Sequence, residues 1–483
     1  VSDHADNPHH SKRWAILAVL GIAQLMVVLD STVVNIALPS AQADLGFSDA
    51  NRQWVITAYA LAFGSLLLFG GRLADVFGRK NVLLAGLVGF SVASAVGGSA
   101  PNFEVLVIAR AAQGLFGALL APAALSLLTT TFTDPNERGK AFGIYGAIAG
   151  AGAAIGLILG GVLTQYLSWR WCLYVNLVLA IPAAAAAFVL LVNQRPAGKP
   201  KLDLPGTFAV SLGLLAIVYG CTKAQSDGWT APVTLALLLG GLALIAIFVV
   251  IEMRVSNPLL PLRVVLDRSR GGAYLGLGLA CVGMFGVFLF LTYYLQLTLM
   301  YSPIKTGFAF LPMVAGIMVM ATLSTAVLLP KIGARIPVTA GMLLSAVGMA
   351  LLTQIGVDTA YLTHVLPGLV LLGLGLGMLF ATCFEVGTSG VEAHDSGVAS
   401  AMANTTQQVG GSLGTALLST IAATALADYL VAGSGDQIAA AVHSYSVAFW
   451  VSAGIFLASA VLCGALIPGG KHQREQTGAP AGL

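Results

Sequence analysis

Charge is what this sequence has least of. Only 9% of its 483 residues are Asp, Glu, Lys or Arg, while 57% are hydrophobic. At a mean hydropathy of +0.89, that balance excludes a soluble globular protein and leaves almost nothing for an appended soluble domain, such as a sensor would need. There is no GxxxxGK[ST] loop, so no P-loop ATP site is expected. Cysteine is sparse: Cys172, Cys221, Cys281, Cys383 and Cys463 stand singly in apolar surroundings. Without CxxC or metal-ligand spacing they read as small packing residues, and neither metal nor cofactor is expected. No basic block suggests nucleic acid. His364 and His443 have no sequence partners for catalysis at membrane depth, which argues against an embedded enzyme. A signal peptide is also missing: the apolar run after Lys12 and Arg13 is too long for a signal core and lacks a cleavage site, so it is expected to stay as a first span. The start at Val1 reads as trimmed or processed.

What is present is a succession of long apolar runs. They cover 14–38, 52–71, 82–100, 105–131, 139–163, 171–192, 205–223, 231–251, 271–298, 305–330, 336–355, 363–386, 397–425 and 445–468, fourteen segments able to cross a bilayer. An even number puts both termini on one side. Breaks on that side and the tails hold eighteen Lys and Arg, against Arg52, Arg170, Lys223 and Lys305 opposite. The positive-inside rule therefore predicts cytoplasmic termini. Basic breaks around Asn193–Asp203 and Glu252–Arg270 bracket spans seven and eight. The predicted organisation is a tail (1–13), a six-helix bundle (14–192), a linker with an inserted hairpin (193–262), a second six-helix bundle (263–468) and a tail (469–483). A glycine-bearing basic break follows the second span of each bundle, GGRLADVFGRK (70–80) and LLPKIGARIP (328–337). Repeated halves around a midplane site are a transporter architecture.

Three ionisable residues fall at membrane depth. Asp30 lies in LDSTVVNIALP (29–39), near the middle of the first run. An aspartate there costs about 2.5–3.5 kcal/mol, so it should face a bundle interior or wet cavity. Protonation relieves that cost, which makes Asp30 the candidate carrier of a coupling proton. The alternative is a structural role, capping a helix break beside Ser31, Thr32 and Asn35. Arg110, in RAAQGLFGALLAP (110–122), stays protonated and cannot be the carrier. It either tunes a nearby carboxylate or snorkels to the interface. Glu385 is either a second titrating site or an interfacial residue.

Between spans two and three, Gly71 is expected to admit a close helix neighbour and Gly78 a tight reversal. Asp75 is expected at a helix N-terminus, with Arg79 and Lys80 pairing with Asp134 or Glu137. In the fifth span Gly152, Gly156, Gly160 and Gly161 present small residues for close packing or for gating. Polar and aromatic groups predict a cavity suited to bulky amphiphiles: Gln24, Asn35, Trp54, Tyr59 and Gln113 from one bundle, Phe288, Tyr293, Tyr294, Gln296, Asn404, Gln407 and Gln408 from the other.

Taken together these motifs resemble the major facilitator superfamily, within it the fourteen-span drug:proton antiporters. GRLADVFGRK is similar to the superfamily's loop between spans two and three, LDSTVVNIALP to the first-span motif, and RAAQGLFGALLAP to the fourth-span arginine motif. The fifth-span antiporter motif is partly met in IGLILGGVL (155–163), where Leu157 replaces the usual proline. The resemblance spans about 11–468. It implies two bundles rocking about a central cavity, with spans seven and eight outside the core. It further implies that Asp30 takes part in protonation, that Arg110 tunes it, and that Asp75 with Arg79 latches the inner ends. The expected protein is an all-α, monomeric antiporter of the bacterial inner membrane, exporting hydrophobic or amphipathic drugs in exchange for protons. The alternatives are proton-coupled uptake of a small polar nutrient, an embedded enzyme or a sensor.

Overall fold

A computed structural model describes residues 12–48, 51–132, 134–192, 203–255, 258–389, 391, 396–431 and 436–469. Most of both expected tails and of the 193–203 break lie outside them. Every long element is a helix. The first six are α1 (Arg13–Leu45), α2 (Trp54–Phe77), α3 (Arg79–Gly98), α4 (Phe103–Thr131), α5 (Pro135–Tyr166) and α6 (Trp171–Leu190). A hairpin of α7 (Leu204–Asp227) and α8 (Pro232–Glu252) follows, then a five-residue helix, Leu262–Leu266. The last six are α9 (Arg268–Thr298), α10 (Pro303–Ile332), α11 (Arg335–Leu352), α12 (Tyr361–Thr388), α13 (Ser396–Val431) and α14 (Gln437–Leu466). Among the described residues twelve of these are long and apolar enough to cross a membrane, while α2 and α5 contribute the shorter stretches Trp54–Leu67 and Ala151–Tyr166.

Local chemistry sets the ends. Asn102, Asp203, Asp267, Ser302 and Asp436 each accept a backbone N–H in the first turn of the following helix, supplying a bond that the helix cannot make internally. Asp436 starts α14 eight residues before the apolar run at 445. At the other extreme α1 continues through Pro39 to Leu45 rather than ending at 38. Pro39 cannot donate to the Asn35 carbonyl, but one lost bond does not stop a helix packed on both sides of the gap.

Packing repeats with a shift of eight helices. In the first half α2 packs on α4, α3 on α4 and α6, and α1 on α5 and α6. In the second, α10 packs on α12, α11 on α12 and α14, and α9 on α13 and α14. The halves meet through α2 with α13 and α5 with α10, two seams that the same shift exchanges. The α7–α8 hairpin packs against α2 and α13, along one seam only. Trp54 meets Tyr219 of α7 in a tilted ring contact with centroids 5.9 Å apart, and Ser211 Oγ donates to the Ser65 carbonyl at 2.8 Å.

Glycine sets how closely the seams approach. A Cβ on Gly161 would lie 2.7 Å from the Ile304 Cα, and one on Gly307 would overlap the Leu157 carbonyl. Along α1, Gly152, Gly156 and Gly160 lie against Leu25 and Val28, Thr32, and Val33 in turn. That contact is the close packing expected of the glycine run. At the α2–α3 reversal Gly78 takes φ 88°, a left-handed value natural to glycine. The close approach to α4 is made by Gly70 rather than Gly71. A Cβ on Gly70 would overlap the Ala118 carbonyl, whereas one on Gly71 would make an ordinary 3.5 Å contact with Pro122.

Candidate functional site

Asp30 lies in the interior, where α1, α3, α4 and α6 converge, and is 1% exposed. Its Oδ2 accepts from Arg110 Nη1 at 2.5 Å. Its Oδ1 accepts from Gln113 Nε2 at 2.8 Å and from Asn176 Nδ2 at 2.9 Å. Each amide spends its second hydrogen on Ser94 Oγ, at 2.6 Å from Gln113 and 3.2 Å from Asn176. Every partner of the carboxyl is a donor, so the arrangement is built around the charged form. Ser31, Thr32 and Asn35 instead bond carbonyls of their own helix. Asp30 therefore does not cap a break in α1.

Arg110 is equally withdrawn, at 1% exposure, and does not snorkel. Beyond Asp30 it donates Nε to the Val55 carbonyl at 3.0 Å and Nη1 to Gln113 Oε1 at 2.9 Å. The ring of Tyr59 lies 4.5 Å beneath its guanidinium carbon. Helical spacing places Gln113 one turn after Arg110, on the same face. Removing the negative charge from Asp30 would leave a buried guanidinium with carbonyls and a ring face as its described partners, a strongly unfavourable state.

Beside the pair, Val34, Leu38, Val55, Leu106, Trp169 and Cys172 help line a cavity of about 10 Å³ that reaches Arg110. That is space for about one water. It lies toward the end of the molecule away from Arg13.

The same end carries the polar ties between the halves. Tyr293 of α9 donates its hydroxyl to Gln42 Oε1 of α1, and Gln296 Nε2 donates to the Ile36 carbonyl at 3.0 Å. Gln296 belongs to a π-helical turn, Tyr294–Thr298, whose wider winding turns it toward α1 just before Pro39. Arg52 lies 4.1 Å over the Tyr293 ring and within 6.0 Å of those of Phe290 and Tyr445. One apolar cluster here unites α1 from Leu29 to Ala41 with α9 and α10. Toward the termini, α1 from Ile16 to Val27 packs mainly with the other helices of its own half.

The other sequence-predicted residues are more scattered. Gln24 accepts from Tyr145 of α5 at 2.8 Å, and Asn404 donates to its own helix at the Ser400 carbonyl. Phe288 stacks on Phe310, Gln407 is half-buried, and Gln408 abuts Gly64 across the α2–α13 seam. Trp54 faces the hairpin and Tyr59 lies under Arg110, so neither ring is free to line an open cavity. Tyr294 is fully buried, bonded to the Gly356 carbonyl and to Thr359 Oγ1 within its own half. Glu385 is half-buried three residues before the end of α12.

The loop between α2 and α3 differs from expectation. Asp75 falls in the last turn of α2, not at a helix N-terminus, because α2 runs on to Phe77. Its side chain is outside the described part of the structure. Lys80 Nζ reaches the Phe188 carbonyl at 2.7 Å, where a cation offsets the exposed carbonyls ending α6. Glu137 is taken by Arg13, with two bonds of 2.8 Å, while Asp134 Oδ1 accepts from the Glu137 N–H at 3.0 Å in the first turn of α5. Arg79 Nε has no hydrogen-bond partner among the described residues.

Ser94 and Asn176 are not among the sequence-predicted residues. Asn176 did leave a signal, as the one amide in the sixth apolar run. A polar amide at that depth needs partners.

Comparison with known proteins adds four findings. The pattern of the Major Facilitator Superfamily matches residues 20–415. The chain is 51% identical over 473 residues to the puromycin resistance protein pur8 of Streptomyces alboniger, covering 97% of this chain and 94% of that one. It is 38% identical to the cephamycin export protein CmcT of Amycolatopsis lactamdurans, covering 91% and 90%. Among solved structures, the POT family transporter PepTSo superposes with a TM-score of 0.70 at 15% identity, covering 94% of this chain and 97% of that chain.

Proposed function

Because the chain belongs to the Major Facilitator Superfamily, a multi-pass membrane protein whose relatives confer resistance to antibiotics or export them, we propose that it exports an antibiotic-like amphiphile in exchange for protons. The observation that carries this reading is the buried Asp30–Arg110 pair, with Gln113 and Asn176 as further donors to the carboxyl. A proton entering down the membrane potential yields about 2.3 kcal/mol per 100 mV. Delivered to Asp30, it removes the charge that holds Arg110 and destabilises this packing relative to the alternative one. Loss of the proton restores the pair. Alternating access then follows from two states of one carboxyl.

In this reading the termini and the basic loops face the cytoplasm of a bacterial cell, and fourteen helices cross the inner membrane. The end tied by Tyr293, Gln296 and Arg52 is the outer gate, closed here. The coupling proton reaches Asp30 from that end. The two halves, 14–192 and 263–468, rock about the glycine-lined seams, and the α7–α8 hairpin braces one of them. Gln24, Asn404, Gln407 and Gln408 face the substrate path, and the protein works as a monomer.

The test is efflux from cells expressing the native chain or Asp30→Asn, loaded with puromycin and a panel of other antibiotics, with and without an uncoupler. Export by the native chain alone, abolished by the uncoupler, is expected. Export that persists in Asp30→Asn, or that ignores the uncoupler, overturns the reading.

A further inference from the structure

Asn176 is fully buried and donates both hydrogens of its amide, yet its Oδ1 has no hydrogen-bond partner among the described residues. An orphaned carbonyl at that depth is costly, because desolvation is not repaid. Nothing in the ion-paired state needs an acceptor there. The protonated state does. A carboxylic acid at Asp30 carries an O–H that must find an oxygen, and both groups now at Asp30 Oδ1 are N–H donors. Gln113 cannot turn to serve it, since its Oε1 already accepts from Arg110. Asn176 can. Because no described residue holds Oδ1, turning the amide over gives up only the two bonds of Nδ2, to Asp30 Oδ1 and Ser94 Oγ, and it puts an acceptor where Nδ2 now lies, 2.9 Å from Asp30 Oδ1.

We propose that Asn176 is a positioning residue for the coupling proton, whose amide donates to Asp30 when it is a carboxylate and turns over to accept from it when it is an acid. This rests on Asp30 as the proton carrier. The step is balanced: one proton adds to Asp30 Oδ1, no other covalent bond changes, and the net charge of the cluster rises by one. Ser94 is the detent. Its Oγ accepts from Nδ2 at 3.2 Å in the ion-paired state, and its hydroxyl can donate to Asn176 Oδ1 after the turn. Arg110 keeps the Val55 carbonyl, Gln113 Oε1 and the Tyr59 ring until the halves move.

The test is an infrared pH titration of the purified full chain in lipid, with pH alone as the probe. The carboxylic-acid C=O band absent from Asp30→Asn is followed in the native chain, Asn176→Leu, Asn176→Gln and Ser94→Ala. In Asn176→Leu the carboxylate loses a donor and the acid its acceptor. The band should therefore rise in frequency, and its midpoint should rise by about one pH unit, the amount by which a hydrogen bond to a charged group exceeds one between neutral groups. Asn176→Gln should restore both readings. Ser94→Ala, which keeps the amide, should move the midpoint the same way by less, and it serves if Asn176→Leu does not fold. A band unmoved in frequency and midpoint in both Asn176→Leu and Ser94→Ala overturns the proposal while leaving Asp30 as carrier. If no band is specific to Asp30, the carrier itself is wrong.

Discussion

Arg110 Nη1 meets Asp30 Oδ2 at 2.5 Å with both side chains almost wholly withdrawn from solvent. Removing one member leaves the other buried and uncompensated, at about 3–5 kcal/mol, whereas removing both is far cheaper. Arg110→Gln is therefore expected to lower the thermal stability of the purified protein, and the double variant Asp30→Asn/Arg110→Gln to recover much of it without recovering export. Arg110→Lys should not export either, since one ammonium cannot reach Asp30, Gln113 and the Val55 carbonyl in the fork geometry. Melting curves and efflux of each variant check this.

The seams depend on glycine at specific points. Gly307→Ala drives a Cβ into the Leu157 backbone and should cost about 1–3 kcal/mol as overpacking. Gly240 in α8 has nothing within 4 Å of where its Cβ would be. Gly240→Ala should thus be neutral or stabilise by up to about 1 kcal/mol through helix propensity. The two melting temperatures moving apart in this direction is the expected result.

These particulars show what a linear reading can reach. Each expected span overlaps a helix, because uninterrupted apolarity over some twenty residues leaves few alternatives in a bilayer. Asp30 and Arg110 were legible since a charge inside such a run stands out. Their pairing was not, because a contact between residues eighty apart in sequence depends on how α1 and α4 cross. Ser94 and Asn176 were hidden for a different reason: uncharged polar groups are common in spans, and only their convergence marks them. The α2–α3 loop misled because helix ends shift by a turn. That displacement carried Asp75 from the start of one helix into the end of another. Gly70 rather than Gly71 meets α4 because adjacent helical residues point about 100° apart.

Arg52 and Tyr293 are among the ties at the end away from Arg13. Arg52→Ala removes the cation stacked on Tyr293, and Tyr293→Phe removes the hydroxyl that donates to Gln42. Either should let that end open more often. Cys172, now 1% exposed beside the small cavity, is a native reporter. With the other four cysteines replaced by alanine, a membrane-impermeant thiol reagent added from that side should label Cys172 several-fold faster in both variants than in the parent. Equal labelling rates would place the closure elsewhere.

The Trp54–Tyr219 contact ties the hairpin to α2. Aromatic pairs contribute about 0.5–1.5 kcal/mol beyond their burial. Tyr219→Ala should lower the melting temperature by a few degrees while leaving the proton dependence of export unchanged, because no hairpin residue touches Asp30 among its hydrogen-bond partners.

The most direct test is proton counterflow in liposomes holding the purified chain and a pH-sensitive dye, driven by a gradient of whichever antibiotic the efflux panel identifies. Proton movement opposite to the antibiotic in the native chain, and none in Asp30→Asn at equal protein content, is the result this account predicts. Counterflow in Asp30→Asn at the native rate, or antibiotic movement by the native chain with no proton movement at all, would contradict it.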